Sequence, residues 1–275
     1  MVPRRHFSPF SYCRLAPRPL PCRMRAASFV RPVLFLLLLG AAATVARSGW
    51  KLRQSVQLAR DSTPFQAQPA KPVKSLLIVG DSTAVGTGAT DPTQSIAGLL
   101  GATTMNLRIE NRAADGARYA DFAKQLQSSP DRFDAILVLG GGNDVIRATS
   151  RDTLQRQVRQ TAQLARQRSD IVVLMPPGNV GNAPFFTRPL SWWMDRRSRT
   201  LHDLVRDTAQ STGATYVNLY RPRSQDPFAQ RPAELHARDG LHPSDAGYEL
   251  WLQELETQAG LSSMLSASGR VMGNR

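Results

Sequence analysis

The sequence predicts an α/β fold: one doubly wound αβα sandwich on a parallel sheet, preceded by an N-terminal hydrophobic signal or anchor helix. Three observations carry this. From Ser75 onward, short apolar runs alternate with segments of helical periodicity, the order expected of a parallel sheet covered by helices on both faces. Runs such as DAILVLG (134–140) and IVVLM (171–175) are apolar throughout, as strands buried on both sides are. Upstream, MRAASFVRPVLFLLLLGAAATVA starts at Met24 with a basic beginning, an apolar middle and a small-residue end, the build of an export signal.

The elements follow in order. SLLIV (75–79) reads as a buried strand and TQSIAGLLG (93–101) as a short helix. MNLRIEN (105–111) is strand-like and ARYADFAKQLQ (117–127) helical, and DAILVLG is the most apolar strand. Segment 151–168 spaces Leu154, Val158, Thr161 and Ala165 at helical intervals, with Thr149 or Ser150 as its cap. After IVVLM come a helix over 190–209, a strand in ATYVNLY (214–220) and a closing helix over 245–258.

Domain limits follow from composition. Residues 1–23 are Pro- and Arg-rich, hold both cysteines (Cys13 and Cys22), and read as a start-site artefact or a disordered basic tail. Residues 24–46 form the signal peptide or membrane anchor. The uncharged run 33–46 has 14 residues, short of the ~20 a spanning helix needs, which favours cleavage. Arg47, Lys51 and Arg53 follow at once, and Arg31 can snorkel to lengthen the span, which favours an anchor. Either way the globular part belongs in the cell envelope, outside the cytoplasm, anchored or released as a periplasmic or secreted protein. Residues 47–74, with three prolines after position 61, read as a linker. Residues 75–260 form the domain, and 261–275 a loose tail.

The net charge of +14 invites a nucleic-acid partner, but it is unevenly placed. Residues 1–74 hold 13 of the 35 Lys and Arg and one of the 21 acids, a net of +12 that leaves +2 for residues 75–275. A nearly balanced domain lacks the basic footprint that nucleic acid requires. No cysteine pair or H-x-x-x-H suggests a metal site, and no cofactor is implied.

Ligands on open parallel sheets bind beyond the carboxyl ends of the strands, and four such ends carry polar or glycine residues. They are Gly80-Asp81-Ser82, Asn111-Arg112-Ala113-Ala114-Asp115-Gly116, Gly141-Gly142-Asn143-Asp144, and Asp239-Gly240-Leu241-His242. A phosphate-binding reading of the first loop is weak. It has no lysine for a Walker loop, and Gly86-Thr87-Gly88-Ala89-Thr90-Asp91 stops short of a dinucleotide fingerprint. A serine hydroxyl becomes a good nucleophile when an imidazole takes its proton. Asp239 and His242, three apart on one loop, can meet through a hydrogen bond and hold that imidazole in one tautomer. Of the domain's other histidines, His202 lies in a charged helical stretch and reads as exposed, and His236 lies in a Pro-rich loop. Backbone N–H groups of Ser82 and Gly116 and the Asn143 amide are the candidate donors to an oxyanion. Asp81 and Asp144 read as structural, holding loop amides.

Taken in order, the blocks GDS, N-x-x-x-x-G, G-x-N-D and D-x-x-H resemble those of the SGNH (GDSL-type) hydrolases over residues 75–258. The resemblance implies a flavodoxin-like sheet, with Ser82 as nucleophile and His242 and Asp239 as its partners. It places Ser82, Gly116 and Asn143 in the oxyanion hole. Gly140 departs from the usual apolar strand residue and is expected to loosen the third strand's end. The Gly- and Thr-rich opening loop is expected to reshape the alcohol side of the pocket.

Segment 177–195 concentrates Phe185, Phe186, Trp192 and Trp193 in an aromatic-poor chain. Two readings stand: an acyl-binding wall or lid, and ordinary packing of the helix over 190–209. The expected function is a serine ester hydrolase, carboxylesterase/lipase-like or lysophospholipase-like, acting on a small-molecule or lipid ester. A carbohydrate O-acetyl esterase or acyltransferase is the alternative. A non-catalytic membrane-tethered binding module and a flavin-binding protein are others.

Overall fold

The structure is a computed structural model that describes residues 26–128 and 131–266. The expectations for residues 1–23, for a start at Met24 and for the tail beyond residue 266 lie outside the described residues. The chain divides into two units, 1–47 and 48–275. In the first, helix α1 (Ala26–Asp61) begins. Val33, Leu34, Phe35, Leu36, Leu38 and Leu39 are all exposed along it. By length and composition the helix can cross a membrane over Pro32–Asp61.

The second unit holds β1 (Lys74–Gly80), α2 (Ser82–Val85), α3 (Ile96–Thr103), β2 (Leu107–Asn111), α4 (Tyr119–Gln127), β3 (Ala135–Leu139) and α5 (Gly142–Ile146). These are followed by α6 (Arg151–Arg166), β4 (Ile171–Met175), α7 (Leu190–Thr212), β5 (Thr215–Tyr216), α8 (Pro227–Gln230), α9 (Pro232–Leu235), α10 (Asp245–Ala259) and α11 (Leu261–Ser266). The five strands form one sheet in the order β2-β1-β3-β4-β5, with every pairing parallel. The fold is the expected flavodoxin-like αβα sandwich.

Alternation along each strand explains the two-sided core. Leu76 and Ile78 of β1, with Leu137 and Leu139 of β3, pack on one face with α3 and α10. Leu77 and Val79, with Ile136 and Val138, pack on the other with α4, α6 and α7. Helix α6 buries Leu154, Val158, Thr161, Ala162 and Ala165, and Ser150 caps it. The chain crosses from β2 to the far side of β1 to enter β3, so the topological switch lies between β1 and β3. A ligand site is expected at that crevice.

Several boundaries differ from the sequence reading. The linker expected over 47–74 is helical as far as Asp61. Segment 50–61 has no proline or glycine, so nothing stops the helix. Beyond it, Ala67 bridges Ile109 antiparallel, and the Gln66 side chain pairs with both backbone groups of Asn111 at 2.7 and 3.0 Å. These residues cover the free edge of β2. Helix α3 begins only at Ile96, because Asp91 caps a separate 3-10 turn and Ser95 then caps α3.

Strand β5 is two residues long rather than seven, since beyond it the Asn218 and Tyr220 N–H groups donate to side chains of Gln258 and Asn218. Residues 261–266, expected as loose tail, form α11, whose Leu261 and Leu265 enter the core.

His202, expected exposed, is buried in α7. Its ring nitrogens meet the Tyr216 hydroxyl at 2.7 Å and the Pro177 carbonyl at 2.8 Å, and burial pushes it down to about 4.

Candidate active site

The loop after β1 is organised by Asp81. As cap of α2 its carboxylate accepts from Thr83 N (3.0 Å) and Thr83 Oγ1 (2.7 Å). The other oxygen accepts from Gly141 N (2.8 Å) and Gly142 N (3.1 Å), across the switch point. Asp81 thus locks the β1 and β3 loops together. Gly140 allows this: its φ is +145°, and a Cβ there would stand 2.6 Å from Asp81 Cγ. The glycine accommodates a buried carboxylate that fixes the strand end, whereas the sequence suggested that it loosened it. Asp144 accepts from Tyr119 N (3.0 Å) and Thr149 Oγ1 (2.7 Å). Burial raises its pKa.

The loop before α10 turns on Asp239. Its Oδ1 accepts from Leu241 N (2.9 Å) and His242 N (3.1 Å), closing a turn through a side chain that imitates backbone. That turn presents His242 Nδ1 to Asp239 Oδ2 at 2.7 Å. His242 Nε2 lies 2.9 Å from Ser82 Oγ. Asp239 is wholly buried, which would raise its pKa, but the His242 ring and two backbone N–H groups outweigh burial and lower it. The carboxylate is therefore ionised at neutral pH, and the bonded Nδ1 carries a proton toward it.

Ser82 opens α2 beneath a cavity of about 290 Å³, which Gly116, Asn143 and His242 also line. The Ser82 and Gly116 N–H groups and the Asn143 side-chain amide make no hydrogen bond within the protein among the described residues. Gly116 sits at φ +75°, a left-handed conformation that glycine adopts freely. The polar site residues named from sequence thus all border one space or bond directly to a residue that does. Among the described residues no group of His, Cys, Asp or Glu could hold a metal ion.

A family model described as the GDSL-like lipase/acylhydrolase family matches residues 78–250, well over half of the chain. The chain belongs to that family. It is an ester-acting hydrolase of the GDSL type. No curated protein matches it in sequence.

Solved structures agree on the fold. LAE5, an alpha/beta hydrolase enzyme from the metagenome of Lake Arreo, Spain, is similar at 20% identity and TM-score 0.55, covering 71% of this chain and 98% of that one. Axe2, an acetylxylan esterase from Geobacillus stearothermophilus, is similar at 19% identity and TM-score 0.51, covering 70% and 97%. An extracellular lipase from Streptomyces rimosus is similar at 17% identity and TM-score 0.51, covering 68% and 100%.

In this GDSL-type hydrolase the first part of segment 177–195 borders the cavity through Asn179, Val180 and Ala183, but its four aromatic side chains are not on the lining. Phe186 packs against the core beneath α7, and Phe185 rests edge-on against it at 5.0 Å. Trp192 and Trp193 are exposed, each under an arginine, Arg188 and Arg197. The acyl-wall reading of these four is corrected to packing and surface. Of the Gly- and Thr-rich opening loop, Thr83 lines the Ser82 cavity, while stretch 86–91 borders a separate depression and supports the cavity from behind, Thr87 Oγ1 donating to Asp115 at 2.7 Å.

Beyond Asn179 and Val180 of that segment, sequence reasoning missed the residues that form the walls. Asp226, Phe228, His236 and Trp251 line the cavity, and so do Ser55, Val56 and Ala59 of α1. Asp226 accepts from Asn182 Nδ2 at 2.6 Å and from Phe228 N at 2.9 Å. Burial holds His236 down at about 4. The helix-forming run 50–61 was the one available signal for the α1 wall.

Proposed function

We propose that this GDSL-type hydrolase works by covalent serine catalysis, with Ser82 as nucleophile and His242 as general base. The observation that carries the proposal is the unbroken hydrogen-bond chain from Ser82 Oγ through His242 to Asp239, at 2.9 and 2.7 Å. His242 Nε2 takes the Ser82 proton as Oγ attacks the ester carbonyl. Asp239, ionised and buried, holds the ring in the Nδ1–H tautomer and balances the charge the ring gains. The oxyanion of the tetrahedral intermediate is received by Ser82 N–H, Gly116 N–H and the Asn143 amide, all without other partners among the described residues. Each such donor lowers the barrier by about 3–4 kcal/mol. His242 then protonates the leaving alcohol, and a water activated by the same ring releases the acyl enzyme.

The substrate is a small-molecule or lipid ester, carboxylesterase- or lysophospholipase-like, because Val56, Ala59, Ile146, Val180, Phe228 and Trp251 give the cavity an apolar lining. A second reading, an O-acetyl esterase or acyltransferase acting on a carbohydrate, is favoured by Asn179, Asp226 and His236 on the same lining. The apolar part of α1 supports a cell-envelope location. The enzyme is then either tethered there by an uncleaved helix or released after cleavage.

A fluorophosphonate probe tests the mechanism. Labelling mapped to Ser82 and abolished in His242→Ala is expected; a folded protein that resists labelling refutes the nucleophile assignment.

A further inference from the structure

The last turns of α1, from Ser48 to Asp61, lie within the same unit as the sheet. Their half-buried positions are Lys51, Gln54, Ser55, Leu58 and Ala59, while Leu52, Arg53, Val56, Gln57 and Arg60 are exposed. Spacings of three and four residues place the first set on one helix face. That face is not the apolar stripe of a core helix. Of its five side chains only Leu58 and Ala59 are apolar, and it meets the loops that carry the Ser82–His242–Asp239 cluster.

The contacts are specific. Lys51 Nζ donates to the Pro184 carbonyl at 2.5 Å and stands 2.9 Å from where a Cβ on Gly240 would be. Gly240 lies between Asp239 and His242 on the same turn. With its amide nitrogen toward that loop, Gln54 donates to the Arg238 carbonyl at 3.0 Å and accepts from Trp50 Nε1 at 3.2 Å. Arg238 lies 3.7 Å from Asp61, a turn or two further along. Between these ties Ser55, Val56 and Ala59 line the Ser82 cavity.

We propose that segment 48–61 is a wall of the substrate pocket, and that Val56 sets how long an acyl chain the pocket admits. This rests on the reading of the cavity as an ester site and names the element that gives it selectivity. Val56 is 44% exposed yet borders the cavity, so it sits at the mouth, where a longer chain must pass. Its neighbours toward the cavity, Ser55 and Ala59, are among the smallest side chains, which leaves position 56 as the bulkiest group on this wall. The ties from Lys51 and Gln54 fix the wall's distance from His242, so a change of side-chain volume at position 56 alters the pocket rather than displacing the helix.

The experiment uses the full chain and two opposed substitutions, Val56→Trp and Val56→Ala, with Ala59→Leu as a second site. Each is measured on p-nitrophenyl esters from acetate to decanoate, as the ratio of kcat/KM for the octanoate to that for the acetate. Val56→Trp and Ala59→Leu are expected to lower that ratio by about tenfold or more, chiefly through KM for the octanoate, and Val56→Ala to raise it. Fluorophosphonate labelling of Ser82 in the same samples reports separately on the nucleophile. Labelled, folded variants with the wild-type ratio overturn the wall. A wild-type chain that fails to label overturns the serine mechanism instead.

Discussion

His242 and His202 are withdrawn from solvent to nearly the same extent, 7% and 4% exposed, and both nitrogens of each ring have partners. The partners differ in kind. His202 lies between a phenol hydroxyl and a carbonyl, and burial with nothing ionised in direct contact keeps it neutral down to about pH 4. His242 lies between a buried carboxylate and a hydroxyl that faces a cavity. Burial and satisfied hydrogen bonds therefore do not separate a working imidazole from a structural one. A neighbour able to balance positive charge, and a proton donor open to substrate, do.

That contrast can be broken by mutation, and the largest expected effect is at the bonded pair. Ser82→Ala and His242→Ala should each lower kcat on a p-nitrophenyl ester by on the order of 10⁶, with melting temperatures near wild type. Retained turnover in either would dissolve the distinction. Next comes Asp239→Asn, which keeps the shape but offers the ring the wrong hydrogen-bond partner, at a cost of about 10⁴ in kcat. Asn143→Ala should cost about 10²–10³ with little change in KM; an effect on KM alone would make Asn143 a binding group.

The smallest effect on catalysis belongs to His202. His202→Phe should lose about 2–3 kcal/mol of stability with its two hydrogen bonds and leave kcat of the folded fraction unchanged. The pH dependence sharpens the point. Because the ring's folded pKa lies below 6.5, at about 4, the unfolded chain binds the extra proton first as pH falls. Stability from this residue is then full above about pH 6.5 and is lost toward pH 4, at most on the order of 3 kcal/mol. His236, also at about 4, adds a loss of the same sign. Chemical denaturation at pH 7 and pH 4.5 should show a smaller difference in His202→Phe than in wild type.

Much of the architecture could be read from the chain because buried parallel strands leave an unmistakable apolar signature. DAILVLG and IVVLM became β3 and β4 almost to the residue. The polar blocks could be read because strand ends are where such a sheet exposes backbone, so Gly80-Asp81-Ser82 and Asp239 to His242 had one natural destination. The pocket walls could not. Phe185 to Trp193 drew attention by composition, yet a run of aromatics says nothing about which way a surface segment faces. Ser55, Val56 and Ala59 were silent because a pocket wall made of small residues has no hydrophobic periodicity to detect. His202 was misjudged for a related reason: the charges around it on α7, Arg199, Asp203 and Arg206, point out to solvent while its ring turns in to Tyr216 and Pro177.

The small bridge at Ala67 has a consequence of another kind. An open sheet ends in two rows of unpaired N–H and C=O groups, and such rows invite another chain to add itself as a further strand. Here β2 has its outer row partly taken up by Ala67 and the Gln66 side chain. The opposite border, β5, stops after two residues. Neither margin offers a long straight template, so the fold carries its own protection against edge-to-edge polymerisation.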